Sequence, residues 1–141
     1  MTTREDRGME TQKLVAERMR SWGFVYASST GSGRPGVDVE NTPGLAAEVK
    51  ATKAIDMPLW LRQAVKNARP SAPGAPADLP FIVYRPQGYG PATMDGWPVI
   101  VRLADFEVLL RAAGYFPAGP DSLPVPDSPP ADGPAREAWD Q

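Results

Sequence analysis

The chain contains no cysteine and no histidine, and these two absences exclude more chemistry than any residue present. Without cysteine there is no disulfide framework, no thiol nucleophile and no thiolate metal site. Without histidine there is no imidazole base, so Ser-His-Asp hydrolysis and histidine-dependent (HNH-type) nuclease chemistry are excluded. Long apolar runs are also lacking: nothing approaches the roughly 18 residues that a membrane span requires. The first residues, Met1-Thr2-Thr3-Arg4-Glu5-Asp6-Arg7, are charged and lead into no apolar stretch, so no secretory signal and a cytoplasmic location are expected. Any catalysis must run on carboxylates, lysine, hydroxyls or a metal held by oxygen.

The 141 residues suffice for one domain with a real core. The net charge of −2 is unevenly spread. Residues 117–141 hold five acids and one base, leaving +2 on residues 1–116. Seven of the 17 prolines also fall in 117–141, with few large apolar groups. The expected organisation is a folded domain over 1–116 and a disordered, acidic, Pro-rich tail over 117–141.

Residues 7–22 read as a helix, with Gln12, Val15, Ala16, Met19 and Trp22 at three- and four-residue steps and Gly23 in the C′ position. Phe24-Val25-Tyr26-Ala27-Ser28 reads as a first strand, followed by a hydroxyl- and glycine-rich loop over 28–36. Asp56 is a candidate N-cap, and Pro58 fits the first turn of a helix running to about residue 68. Residues 70–80 are too rich in proline for a regular element. Phe81-Ile82-Val83-Tyr84 reads as a buried strand and Val99-Ile100-Val101 as another, with Trp97 anchoring its start. An amphipathic helix over 103–113 then carries Leu103, Phe106, Leu109 and Leu110, ended by Gly114.

Chemistry concentrates between the first and second helices. Strand-like runs around 37–39 and 45–51 flank the turn-forming Asn41-Thr42-Pro43-Gly44, which predicts a β-hairpin. Alternation puts Glu48 and Lys50 on one face and Val49 in the core. With Asn41 to Gly44 as the loop, Asp38 faces Ala47 beside Glu48, so two carboxylates and an amine converge. Like charges gathered this way repel unless a cation lies between them. Oxygen ligation suits Mg²⁺, with Mn²⁺ able to substitute.

Asp38 followed after nine residues by Glu48-Val49-Lys50 resembles the PD-(D/E)xK signature of restriction-endonuclease-like nucleases. The element order, helix, three strands, helix, strand, strand, helix, matches the αβββαβ core of that fold. Gly8, Trp22-Gly23-Phe24, the Ser/Gly loop and Gly44-Leu45-Ala46-Ala47-Glu48-Val49-Lys50 further resemble archaeal-type Holliday junction resolvases and small actinobacterial and phage endonucleases. That resemblance spans about residues 7–112 and implies a bacterial or phage-infected setting. The implied fold class is α/β, a mixed central sheet flanked by helices. The implied activity is Mg²⁺-dependent cleavage of DNA, branched DNA such as a four-way junction in particular, by a homodimer.

The resemblance also assigns roles. Asp38, Glu48 and the carbonyl of Val49 would hold the metal, and Lys50 would orient the attacking water and steady charge on the phosphate. Gln63 would help position that water. Gln12 stands where such proteins carry a metal-site Glu, supplying a carbonyl but no charge. Glu40 is a second-rank ligand. Ser29, Thr30, Ser32, Arg34, Lys53, Arg62 and Lys66 are candidate DNA contacts. Trp22, Trp60 and Trp97 read as core or interface residues. Two alternatives stay open: a nuclease for flap, single-stranded or duplex DNA, and a non-catalytic DNA-binding or assembly protein on the same fold.

Overall fold

The computed structural model describes residues 3–31, 36–70 and 73–117. The chain divides into two compact units, Met1–Arg102 and Leu103–Gln141. The first is a mixed α/β unit in the order α1 (Arg4–Ser21), β1 (Ser28–Ser29), β2 (Val39–Glu40), β3 (Leu45–Lys50), α2 (Met57–Asn67), β4 (Leu79–Tyr84), a 3-10 segment (Pro91–Gly96) and β5 (Val99–Ile100). Among the described residues of the second unit is α3 (Leu103–Ala112).

The helices begin and end where local chemistry dictates. Thr3 caps α1, accepting from the Asp6 amide at 3.1 Å while Asp6 accepts from the Thr3 amide. At its C-terminus Gly23, at φ +112°, donates to Arg20 O while Phe24 donates to Met19 O, a Schellman turn that needs the left-handed conformation glycine tolerates. Asp56 caps α2, accepting from the Leu59 amide at 3.1 Å, with Pro58 in the first turn.

The five strands lie in sequence order, antiparallel except for the parallel β3–β4 pair that α2 connects. Strand alternation sorts their side chains onto two faces. Ala47, Val49, Phe81 and Val83 face one way and pack with Val15, Ala16 and Met19 of α1, joined by Ala27, Val39 and Trp97. Ile82 and Tyr84 face the other way under Trp60 and Ala64 of α2. Glu48 pairs with Ile82 and Lys50 with Tyr84, so both polar groups stand on the α2 face.

Two arginines fasten α1 to the C-terminal ends of β3 and β4. Arg7 donates through Nε to Ala51 O at 3.3 Å and through Nη2 to Pro86 O at 3.0 Å. Arg85 is buried, donating to Tyr89 O (2.8 Å) and Thr11 Oγ1 (3.1 Å), with Glu10 at 3.6 Å and the Trp97 ring at 5.6 Å. A buried guanidinium is tolerated because several acceptors surround it.

Three expectations are corrected. The hairpin register differs by one residue: Val39, not Asp38, is the partner of Ala47. The turn closes within Thr42 to Leu45, with Leu45 N–H donating to Thr42 O at 2.9 Å, and this shorter closure slides β2. The slip is consequential, because directly opposed residues share a sheet face. It sends Val39 into the core and brings Asp38 to the side of Glu48. Second, residues 24–27 form a turn, with Ala27 N–H donating to Phe24 O, leaving Val25 65% and Tyr26 79% exposed; β1 is only Ser28–Ser29. Their apolar character mimics a strand, but the Schellman turn directs the chain away before the sheet begins. Third, Leu79 and Pro80, expected in a stretch too rich in proline for a regular element, open β4. Trp60 and Trp97 are buried in the core, and Trp22 is 58% exposed.

In the second unit, α3 ends in its own Schellman turn at Gly114, and the Arg111 guanidinium lies 4.6 Å from the Phe116 ring centroid. None of its residues is buried, Leu103, Phe106 and Leu109 included.

Candidate functional site

β2, β3 and α2 bound a cleft of about 670 Å³ whose lining includes Asp38, Glu48, Lys50, Gln63, Lys66 and Asn67. β3 delivers Glu48 and Lys50 one pleat apart, the segment entering β2 delivers Asp38, and α2 delivers Gln63 and Asn67 one helical turn apart. The sequence singled out five of these six.

Asp38 is fixed by backbone on every side. Its N–H donates to Ala47 O at 3.0 Å, and its Oδ2 accepts from the Val49 N–H at 2.7 Å. Its carbonyl takes the Thr30 N–H at 3.0 Å, and the Thr30 hydroxyl bridges Val37 O and Asp38 O. The N–H and C=O of one strand residue point toward the same neighbouring strand. The Val49 carbonyl is therefore aimed to the side on which Asp38 lies.

Glu48 is only 5% exposed. Burial, then the negative charge of Asp38, pushes its carboxyl up to about 7; the Asn67 hydrogen bond and the Lys50 ammonium oppose that rise. Asp38 is raised as well, by burial first, against the Val49 amide, the bond to Glu48 and the charge of Lys50. The two carboxyl groups lie close enough for each to shift the other. Adjacent acids that cannot both ionise cheaply hold a proton between them.

Lys50 Nζ donates to Gln63 Oε1 at 3.1 Å and lies 6.0 Å from the Trp60 ring centroid. Gln63 is thus the acceptor that aims Lys50. Asn67 Nδ2 donates to Glu48 Oε1 at 2.9 Å and to Gly36 O at 3.1 Å. Asn67 was not singled out in the sequence. Its signal was the four-residue step from Gln63, which places both amides on one helix face.

The remaining expected residues lie elsewhere. Gln12 is on α1, across the sheet from α2, and does not line the cleft; its Oε1 is buried with no hydrogen-bond partner. Glu40 is exposed and accepts from Ser28 Oγ at 3.3 Å, lining a neighbouring hollow with Thr30. Lys53 lines a separate cleft of about 890 Å³ with Arg4, Arg7, Glu10 and Arg85. Ser29 lies in β1 opposite Val39, and Arg62 is on an exposed position of α2. Ser32 and Arg34 fall outside the described residues, as does the chain beyond residue 117.

Among the described residues no three His, Cys, Asp or Glu side chains converge on one point. The donor set at the cleft is therefore two carboxylates and a directed carbonyl. That fits a hard cation which retains waters and accepts a phosphate oxygen, better than one caged wholly by protein. A buried carboxyl, Glu48, beside the half-buried Asp38 is also an arrangement that such a cation would relieve.

No protein-family model matches the chain, and no curated protein and no solved structure matches it either. No helix among the described residues is long and apolar enough to cross a membrane.

Proposed function

We propose that the chain is a Mg²⁺-dependent DNA endonuclease with a restriction-endonuclease-like core, acting on branched DNA in the manner of a Holliday junction resolvase. The observation carrying this reading is the meeting of Asp38, Glu48 and Lys50 in one open cleft, two acids with raised pKa beside an aimed ammonium.

Each residue then has a task. Asp38 and Glu48, with the Val49 carbonyl, would hold the cation. Once bound, that ion makes water a stronger nucleophile at neutral pH and offsets phosphate charge. Lys50, aimed by Gln63, meets a non-bridging phosphate oxygen and stabilises the negative charge that builds there as water attacks. Lys66 lies on the same rim and attracts the neighbouring backbone. The burial of Glu48 leaves its charge weakly screened at short range. A junction needs two symmetric cuts, so a homodimer is part of the proposal.

The test incubates the protein with four-way junction, flap, single-stranded and linear duplex DNA in Mg²⁺ or Mn²⁺, beside Glu48→Ala. Junction cleavage by the wild type, lost in the variant, is expected. Preference for another substrate would shift the specificity, and absence of cutting on all four in both metals would refute the nuclease reading. One observation favours a non-catalytic DNA-binding role: among the described residues no third carboxylate joins the pair, and Gln12 does not line the cleft. Junction binding without cleavage is its signature.

A further inference from the structure

We propose that Asn67 is the positioning residue of this cleft, holding the two acid-bearing segments in register through one carboxamide. The inference rests on the metal-dependent reading above and extends it to a residue that reading does not require.

A carboxamide nitrogen has two hydrogens, and both of Asn67's are used. One goes to Glu48 Oε1 at 2.9 Å, and the other to the Gly36 carbonyl at 3.1 Å. These acceptors lie 19 and 31 residues away in sequence, so the last residue of α2 joins β3 to the segment carrying Asp38. The polarity of the contact is forced, since a carboxylate and a carbonyl both require a donor. One turn earlier Gln63 presents its oxygen to the Lys50 ammonium, where only an acceptor serves. α2 therefore offers an acceptor to the cation and a donor to the anion of β3.

The need for such a clamp follows from how differently the two acids are held. Asp38 is secured by the Val49 amide and its own backbone bonds. Among the described residues Glu48 accepts from no backbone amide, and its side-chain hydrogen bond is to Asn67. A glutamate side chain without a further anchor is free to rotate out of the cleft. The Asn67 bond to Oε1 holds that rotamer, and its bond to Gly36 stops the facing segment from receding. Groups that orient metal-binding side chains in this way are worth about 10–100-fold in metal affinity.

The experiment titrates Mn²⁺ into the full-length wild type, Asn67→Ala, Asn67→Ser and Glu48→Ala, reading free Mn²⁺ by electron paramagnetic resonance. Circular dichroism melts check folding. Asn67→Ala should weaken Mn²⁺ binding about 10–100-fold. Asn67→Ser, whose hydroxyl can serve only one acceptor, should fall between it and the wild type, and it carries the test if the alanine variant does not fold. The Mn²⁺ concentration giving half-maximal cleavage should rise in step, with KM for DNA unchanged. Mn²⁺ affinity of Asn67→Ala within about twofold of wild type, or a raised KM with unaltered Mn²⁺ affinity, would overturn the role of Asn67 alone. A wild-type chain that binds no Mn²⁺ would overturn the metal-dependent reading together with it.

Discussion

Replacing Asp38 with Asn is expected to stabilise the metal-free protein above neutral pH, although it removes a ligand of the proposed cation. Glu48 titrates near 7 in the folded chain against an ordinary value of 4.5. The native state therefore binds more protons than the unfolded state between those pH values, and stability must fall as pH rises through the window. The displacement corresponds to roughly 3 kcal/mol, present as stability below pH 4.5 and lost above pH 7. Burial is the largest cause and the Asp38 charge the second, so Asp38→Asn should recover a minority share, on the order of 1 kcal/mol. The asparagine oxygen can still accept from the Val49 amide. In a domain of this size that share raises the melting temperature by about 4–8 °C. The assay is thermal unfolding by circular dichroism in EDTA from pH 5 to pH 8. The chain has no histidine to titrate in the window, and Asp6, whose carboxyl the Thr3 hydrogen bonds lower, titrates below it; the raised Asp38 carboxyl adds to the wild-type slope and is absent from the variant. Wild-type melting temperature should drop across the window and the variant's should drop less. Mg²⁺ should then raise the wild type at pH 8 more than the variant. A wild-type profile that is flat or rising, or an identical slope in the variant, would refute the reasoning.

Lys50→Met should reduce single-turnover cleavage by about 100-fold while leaving Mn²⁺ affinity within a few-fold, because the ammonium acts on phosphate charge; an unchanged rate would remove Lys50 from the chemistry. Gly23→Ala forces a side chain into φ +112° and should cost about 1–2 kcal/mol in urea unfolding, with no loss contradicting the Schellman assignment. Met19→Ala, at a fully buried position of the α1 face, should cost about 2–5 kcal/mol; a loss under ~1 kcal/mol would mean the core collapses around the gap.

What the sequence made legible was whatever short-range chemistry determines. The Asp56 cap, the Gly23 stop and the Glu48/Lys50 alternation are local, and each stands where the residues predict. The order of helices and strands was legible for the same reason. The hairpin register was not, since Asn41-Thr42-Pro43-Gly44 accommodates two closures and only the burial of Val39 selects one. Asn67 was illegible because an amide at a helix end has no signature until its two acceptors are in place. The exposure of Trp22 and of the α3 stripe was hidden because an apolar side chain in sequence does not reveal whether anything covers it.

The arginine fastening of α1 carries a practical consequence. Arg7 sits one turn into a helix whose cap is Thr3, and its guanidinium grips the backbone just beyond Lys50 and just beyond β4. A bulky fusion placed directly ahead of Thr3, or a proteolytic nick within that opening turn, would loosen the strand end on which the lysine is mounted. The front of the chain is thus a remote handle on the cleft, and affinity tags belong at the other end.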